Sequence, residues 1–226
     1  MSGIQLNRFR TSGLMGVALA GVLFICGQAR AVVIGYGAGP VSTPGSGSFS
    51  GLTQIADETS TVTAYDSSSV ARYTATIESE VLADSNTGDV DFAYRLTSLS
   101  SPSSDAIHQI SLVSFAGYTT DIDYVNSGNL AFSTVQRSPA IPLAGFGLTF
   151  DYNSPNTIPS GSSSDWILVK TNAPYFDNNG TLSTIDGATA NFTTYEPAVP
   201  EPVSAGIMGV VATLVLARRP ARSNGR

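Results

Sequence analysis

The sequence predicts an all-β fold, an antiparallel β-sandwich, for the region between its two apolar ends. Apolar and polar residues alternate with a period of two in several central segments, as they do in half-buried strands. Clusters of Gly, Pro, Asn, Asp and Ser separate these segments, and no long helix-forming stretch lies among them. Serine and threonine supply 46 of the 168 residues in 32–199, a composition that favours strands and turns. A helix is expected only in each terminal segment.

Six central segments carry the strand pattern. They are, in chain order, 71–78, 91–97, 108–113, 146–150, 166–170 and 189–195. In the first two, the large apolar side chains occupy every second position, which gives the strand one apolar face. The segment 166–170 is instead apolar on both faces. About eight to ten short strands at this spacing favour two packed sheets, with immunoglobulin-like or jelly-roll-like architecture.

Turn-forming clusters divide the central region and its flanks. The clusters are 84–88, 100–105, 126–129, 153–156, 160–164 and 177–180. Each contains residues that accept turn geometry or hydrogen-bond their own backbone. The Gly-, Ser- and Pro-rich stretch in 32–51 predicts a flexible lead-in, so the β-sandwich is expected over 52–195. The segment 196–200 reads as a linker to the C-terminal tail, 196–226.

The first 31 residues have the three parts of a secretory signal peptide. Arg8 and Arg10 precede an apolar run over 14–26, and Ala29 and Ala31 form a small-x-small cleavage site. The run is shorter than the roughly 20 residues of a membrane span, although a buried helix or an uncleaved anchor is the alternative. Cleavage after Ala31 would leave a mature chain without cysteine, because the single Cys26 lies in the removed segment.

The C-terminal tail predicts a second, short membrane helix. Residues 203–217 contain no charge and follow a Pro-Glu-Pro sequence, Pro200, Glu201 and Pro202. Fifteen residues span about 22 Å as a helix, so the flanking residues must complete a roughly 30 Å bilayer core. The basic residues that follow should hold the C-terminus on the cytoplasmic side and leave the central domain outside. They are Arg218, Arg219, Arg222 and Arg226.

The order of these three parts resembles the PEP-CTERM sorting domain of Gram-negative and related bacteria. The resemblance covers 198–226 and implies that Pro200, Glu201 and Pro202 form a recognition motif. It further implies a transient membrane anchor that the protease-transpeptidase exosortase processes, and association with extracellular polysaccharide or biofilm matrix. Two central segments, 92–110 and 164–189, are also similar to ectodomains of this family. An ordinary tail anchor with a fortuitous Pro-Glu-Pro is the alternative.

The charge distribution excludes one large class of partners. The region 32–199 holds 16 acidic and 4 basic side chains, a net charge of −12, while the two ends are basic. Nucleic-acid binding depends on Lys and Arg that neutralise phosphates, so we expect no nucleic-acid partner. One cysteine cannot build a zinc-thiolate site.

Few residues are candidates for chemistry. The only histidine, His108, shares the parity of Ile110 and is expected on or near the core face as a structural residue. Two pairs of aspartates, 89 with 91 and 121 with 123, place carboxylates about 6.5–7 Å apart on one side of an extended strand. Such pairs serve glycoside hydrolysis or calcium binding, but solvated strand faces also carry them. The strongest calcium candidate is the loop of Asp177, Asn178 and Asn179.

Together these features predict an exported, noncatalytic protein of the cell surface or extracellular matrix. No cofactor is expected apart from calcium at the loop just described. The first alternative is a carbohydrate-binding module that stacks sugar rings on Trp166 or on some of the nine tyrosines, although a strand tryptophan usually lies in the core. The second alternative is a glycan-active hydrolase that uses the paired aspartates.

Overall fold

The computed structural model describes residues 31–42, 47–100, 106–112, 115–138 and 147–198. The predicted signal helix, the sorting motif and the tail helix over 203–217 lie outside these residues. Within the described ranges there is no helix, and hence none long and apolar enough to cross a membrane.

Twelve strands make up the described fold. They are β1 Val32–Val33, β2 Val41–Ser42, β3 Leu52–Tyr65, β4 Ala71–Asp84, β5 Val90–Ser100, β6 Gln109–Leu112, β7 Thr120–Val125, β8 Thr134–Arg137, β9 Leu148–Asp151, β10 Trp166–Ala173, β11 Phe176–Ile185 and β12 Thr189–Pro197. All of them pair antiparallel in one sheet, in the order β1-β7-β10-β5-β4-β3-β12-β11-β6-β9-β8-β2. The prediction of an all-β, antiparallel protein is therefore confirmed.

The sheet curls so that one face encloses the hydrophobic core. β3 and β12 pair only at Tyr65 and Thr189, where the sheet turns a corner. The core takes residues from strands on both sides of this corner, and the hydroxyl group of Tyr94 in β5 donates a hydrogen bond to the carbonyl of Tyr195 in β12. The ends of the sheet, β1 and β2, are joined by only seven residues, 34–40. The curl therefore brings the two ends of the sheet close together.

Buried and exposed side chains alternate with a period of two in the central strands, as expected. In β4, Tyr73, Ala75 and Ile77 are buried while the residues between them are at least partly exposed. In β10, Trp166 to Val169 are all buried. Ile167 and Val169 belong to the main core, whereas Trp166 and Leu168 face the opposite side and join a second, smaller apolar cluster. An apolar layer therefore covers each face of this strand.

The ordered region extends beyond the expected 52–195 at both ends. β1 and β2 lie within the stretch predicted as a flexible lead-in, and β12 continues to Pro197, within the predicted linker. β1 pairs with the outer edge of β7, and β2 pairs with that of β8. Short segments of this kind cover edge strands that would otherwise offer unpaired backbone groups to another chain. A two-residue strand leaves no periodic pattern in the sequence. The Gly-, Ser- and Pro-rich composition of this stretch therefore predicts a flexible segment.

Two local predictions are wrong. Residues 177–180 do not form a turn between strands but lie within β11, where the pairing with β12 is irregular between Asp177 and Gly180. His108 is exposed rather than on the core face. Ile107, paired with Ile158 in an isolated bridge, takes the buried position before Ile110, so the alternation is interrupted at the histidine.

Candidate functional site

The outer face of the strands β7, β10, β5, β4 and β3 carries most of the chemistry in the described residues. In each of these strands, alternate side chains point into the core. The side chains between them point outward, and together they form three adjacent zones. The first zone is acidic, the second is apolar and covered by another segment, and the third consists of hydroxyl groups. Pairing across the strands, rather than proximity in sequence, brings each zone together.

The acidic zone, called here the carboxylate patch, consists of Asp91, Asp121 and Asp123 around Lys170. Lys170 in β10 pairs with Asp121 in β7, and Leu168 pairs with both Asp123 and, on the other side, Ala93 of β5. Asp121 and Asp123 share one face because Ile122 between them is buried in the core. The prediction that this pair shares a strand face is confirmed. Asp89, by contrast, precedes β5, so only Asp91 of that pair lies in the strand.

Burial makes the carboxylate patch costly to ionise. Asp91 and Asp123 are 2% and 1% exposed, and each has one carboxylate oxygen without a hydrogen-bond partner. Burial raises the pKa of Asp91 to about 6, although its other oxygen accepts a hydrogen bond from the backbone N–H of Thr171 at 3.0 Å. Burial also raises the pKa of Asp121 and Asp123, and the charge of Lys170 opposes each of these shifts.

The segment 47–51, called here the strap, covers the middle zone of the outer face. The N–H of Gly47 donates a hydrogen bond of 2.7 Å to the carbonyl of Tyr124, and a Cβ on Gly47 would overlap the carboxylate of Asp123. The Phe49 ring meets the Trp166 ring edge-on, with centroids 6.0 Å apart. The strap therefore packs against Asp123 of the carboxylate patch and against Trp166 of the apolar zone.

Arg95 separates the apolar zone from the hydroxyl zone. Its guanidinium lies over the Trp166 ring, 4.8 Å from the centroid, and forms an ion pair with Glu78 on the neighbouring strand. Trp166 is thus enclosed by Phe49 on one side and Arg95 on the other, and only 8% of it is exposed. The expectation that this tryptophan lies in a core is confirmed, and its ring face offers no free platform for a sugar.

The third zone is a line of four hydroxyl side chains, called here the hydroxyl row. Thr61 in β3 pairs with Thr76 in β4, Thr76 pairs with Thr97 in β5, and Thr97 pairs with Ser163. The hydroxyl groups of Thr61 and Thr76 are 2.8 Å apart, and those of Thr97 and Ser163 are 2.9 Å apart. At about 4.8 Å between strands, the row extends for roughly 14 Å. No sequence pattern predicts it, because its members come from four separate segments.

The hydroxyl row ends at a cavity between two loops, called here the loop cavity. Residues 128–130 form one wall and residues 155–163 the other, and the cavity has a volume of about 430 Å³. Its polar lining comes from Asn129, Thr157, Ser162 and Ser163, and none of the described lining residues is charged. Leu130 and two prolines, Pro155 and Pro159, add apolar surface.

Buried groups fix both walls of the loop cavity. One carboxylate oxygen of Asp165 accepts hydrogen bonds from the N–H of Ser127, the hydroxyl of Ser127 and the N–H of Asn129. On the other wall, Ser98 of β5 exchanges backbone hydrogen bonds with Gly161 and Ser162. The cavity is consequently formed before any ligand arrives.

A separate arrangement joins the two ends of the curled sheet. Arg137 of β8 is 3% exposed, and its two terminal nitrogens donate hydrogen bonds to the carbonyls of Ile34, Phe115 and Tyr118 and to the hydroxyl of Thr120. The Tyr36 ring lies over the guanidinium at 3.9 Å. A smaller, mainly apolar cavity of about 250 Å³ lies beside this contact. Arg137 therefore fastens β8 to the segment that follows β1 and to the loop before β7.

The first residue of β7 and the loop before it hold the two ends of the described domain. The N–H of Ile34 donates to the carbonyl of Thr120 at 3.0 Å, and the Tyr118 hydroxyl donates to the carbonyl of Ala198 at 2.5 Å. Ala198 also donates its N–H to the carbonyl of Tyr175. The chain therefore enters and leaves the fold at one end of the molecule.

The predicted site residues fall into two groups. Ala29 and the predicted sorting residues, Pro200, Glu201, Pro202, Arg218, Arg219 and Arg222, lie outside the described residues, while Ala31 is the first residue described. The calcium candidates lie in β11, where the N–H of Asn179 donates to a carboxylate oxygen of Asp177 at 3.1 Å. Among the described residues no group of three or more His, Cys, Asp or Glu side chains could hold a metal ion. Calcium at this position stays a prediction.

Comparison of the chain with protein-family models, with curated proteins and with solved structures finds no match.

Proposed function

We propose that this chain is an exported protein of the cell surface or extracellular matrix, with a noncatalytic β-rich domain and a PEP-CTERM-like sorting tail. In this proposal the signal peptide is removed after Ala31, and exosortase processes the tail near Pro200–Pro202. The tail helix anchors the protein only transiently. The curled sheet acts as a β-sandwich, with the corner at Tyr65 and Thr189 dividing its two layers.

The observation that carries the proposal is the agreement between the limits of the fold and the expected processing sites. β1 begins at Val32, directly after the expected signal cleavage, and β12 ends at Pro197, three positions before Pro200. Cleavage at both sites would release all twelve described strands. The contacts of Ile34 with Thr120 and of Ala198 with Tyr118 hold both ends of the described domain close together and support a domain presented from one end.

Cell fractionation tests the sorting motif directly. The natural chain and the double variant Pro200→Ala, Pro202→Ala would be produced in the native cells, and Pro174→Ala would serve as a matched control at an exposed position of the domain. We expect the natural chain and the control in the surface and medium fractions, and the double variant in the inner membrane. Export of the double variant equal to that of the natural chain would contradict the proposal.

Carbohydrate binding is the second candidate function, and the hydroxyl row with its adjoining cavity favours it. These groups lie on an uncovered part of the outer face, unlike Trp166. The hydrolase alternative gains no such support, because Asp91 and Asp123 are almost fully buried and the strap lies against Asp123.

A further inference from the structure

We propose that the loop cavity and the hydroxyl row form one binding site for an uncharged polysaccharide. One end unit of the glycan would occupy the cavity, and the following units would lie across Thr97, Thr76 and Thr61. This inference deepens the second candidate function and rests on the proposed presentation of the domain among extracellular glycans.

The lining of the loop cavity matches the surface of a sugar unit. A pyranose carries hydroxyl groups around its edge and C–H groups on its faces. Asn129, Thr157 and Ser162 can exchange hydrogen bonds with the edge, while Leu130 and Pro159 can contact a face. The volume of about 430 Å³ lies within the 300–1,000 Å³ that is usual for ligand sites, so it can admit a saccharide unit.

The hydroxyl row provides a second, extended contact on the same face. Thr61 with Thr76 and Thr97 with Ser163 each share one hydrogen bond, but a hydroxyl group can donate one bond and accept two. Each pair therefore keeps capacity for a ligand. Ser163 belongs to both the row and the cavity, so a chain that leaves the cavity meets the row next.

Charge selects the class of polysaccharide. Among the described residues that line the cavity none is charged, and the net charge of −12 over 32–199 repels a polyanion. The nearest cation on this face, Arg95, forms an ion pair with Glu78. The described residues of the site offer no positive charge that could compensate the carboxylates of a uronic-acid polymer. A neutral glycan needs no such compensation.

The rigidity of the cavity walls favours binding. Asp165 holds residues 127–129, and Ser98 holds residues 161–162, through hydrogen bonds within the fold. A site that is already formed needs little ordering when the ligand binds, so less of the interaction energy is lost to conformational entropy.

Calorimetric titration of the purified full chain tests the proposal. The probes are the hexasaccharides of cellulose, starch, chitin and xylan, with hexagalacturonate as a charged probe of equal length, and the corresponding neutral disaccharides. We expect at least one neutral hexasaccharide to bind, its disaccharide to bind more weakly, and hexagalacturonate not to bind. Absence of binding by all four neutral hexasaccharides, or equal binding of hexagalacturonate, would overturn the proposal.

Two pairs of variants locate the site. Thr157→Trp should fill the cavity and weaken binding of the hexasaccharide and disaccharide tenfold or more, while Thr193→Trp, at an exposed position of β12, should change neither. Asn129→Ala, with Asn191→Ala as its exposed counterpart, repeats the comparison if the larger side chain disturbs folding. Binding that survives both Thr157→Trp and Asn129→Ala would show that the cavity is not the site.

A third variant separates the row from the cavity. Thr61→Val with Thr76→Val removes two hydroxyl groups and should weaken the hexasaccharide about fivefold without affecting the disaccharide. Equal loss for both ligands would contradict an extended site. A chain of correct mass at the cell surface that binds no glycan would refute this inference alone. A glycan-binding chain retained in the inner membrane would refute only the proposed sorting.

Discussion

Arg137 donates four hydrogen bonds to oxygen atoms of four residues, and these residues belong to two segments that are distant in sequence. The carbonyls of Ile34, Phe115 and Tyr118 are polar groups at the closure of the sheet. If the guanidinium is removed, these buried acceptors lose a partner without gaining water. Arg137 therefore contributes to stability mainly by satisfying backbone groups that the closure buries.

We expect Arg137→Met, which keeps an unbranched stem but has no donors, to lower the free energy of unfolding by about 3 kcal/mol or more. The matched control is Arg72→Met, because Arg72 forms a partly exposed ion pair with Asp66, and such pairs contribute about 1 kcal/mol or less. Urea denaturation of the three proteins measures both effects. Equal losses for the two variants would show that Arg137 has no special role in closure.

Asp91 makes the free energy of unfolding depend on pH. Its pKa in the fold is about 6, above the ordinary value of 3.8, so the folded chain binds this proton more tightly than the unfolded chain. The stabilisation that protonated Asp91 provides is complete below about pH 4 and is lost as the pH rises through 6. Above that range the ionised carboxylate reduces stability.

Asp91→Asn keeps the oxygen that accepts the Thr171 N–H but removes the titration. We expect the variant to be more stable than the natural chain by about 1–2 kcal/mol at pH 7, with the difference disappearing near pH 4. Asp57→Asn, at an exposed position of β3, makes the same change in charge and serves as the matched control. Urea titrations at several pH values give the comparison, and a pH-independent difference for Asp91→Asn would contradict the argument.

Single residues also show why sequence analysis could predict only part of the candidate site. Asp121 and Asp123 are two positions apart in one strand, so their shared face follows from the geometry of a strand. The hydroxyl row could not be predicted in this way, because Thr61, Thr76 and Thr97 meet only through strand register. The alternation of the sequence predicts His108 on the core face, but the neighbouring Ile107 takes the buried position.

At the level of elements, β1 is part of the fold although its two residues are too few to predict. Val32 and Val33 pair with the edge of β7, and the next residue, Ile34, is 1% exposed in the main core. The segment therefore covers an edge strand and contributes a buried side chain. A flexible lead-in would do neither.

We expect Ile34→Ala to lower the free energy of unfolding by about 2–4 kcal/mol, because it removes a buried branched side chain and leaves a cavity. Val33→Ala is the matched control one residue away, since Val33 is 72% exposed, and it should change stability by less than about 0.5 kcal/mol. Thermal or urea denaturation distinguishes the two. Equally small effects for both variants would mean that the segment is not held in the core.

The strands that were predicted well are those with an uninterrupted alternation. β4 has one core face over Tyr73, Ala75 and Ile77, and the same period appears in its sequence. The sequence of residues 177–180 predicts a turn, because Asp, Asn and Gly favour turns. The same residue types also suit the irregular strand pairing that the structure shows there. The glycine is required there, because a Cβ on Gly180 would lie 2.8 Å from the carbonyl oxygen of Thr194.

At the level of the whole molecule, the charge pattern and the limits of the fold suggest the same organisation. The acidic region 32–199 lies between two basic ends, and the described strands run from Val32 to Pro197 within it. Both ends of the described domain, at Ile34 and Ala198, are held by Thr120 of β7 and Tyr118 of the loop before it. The two terminal motifs predict export of this region, which stays a prediction. Closure of the sheet around Arg137 could not be predicted, because it depends on contacts between distant segments.

The most direct test of the central proposal is the intact mass of the protein recovered from the surface and medium of its native cells. The proposal predicts a chain that begins at Val32 and ends near Pro200–Pro202, so that the complete strand array is retained and the tail is absent. A chain in the inner-membrane fraction that still contains residues 203–226 would contradict it and would indicate a permanent tail anchor.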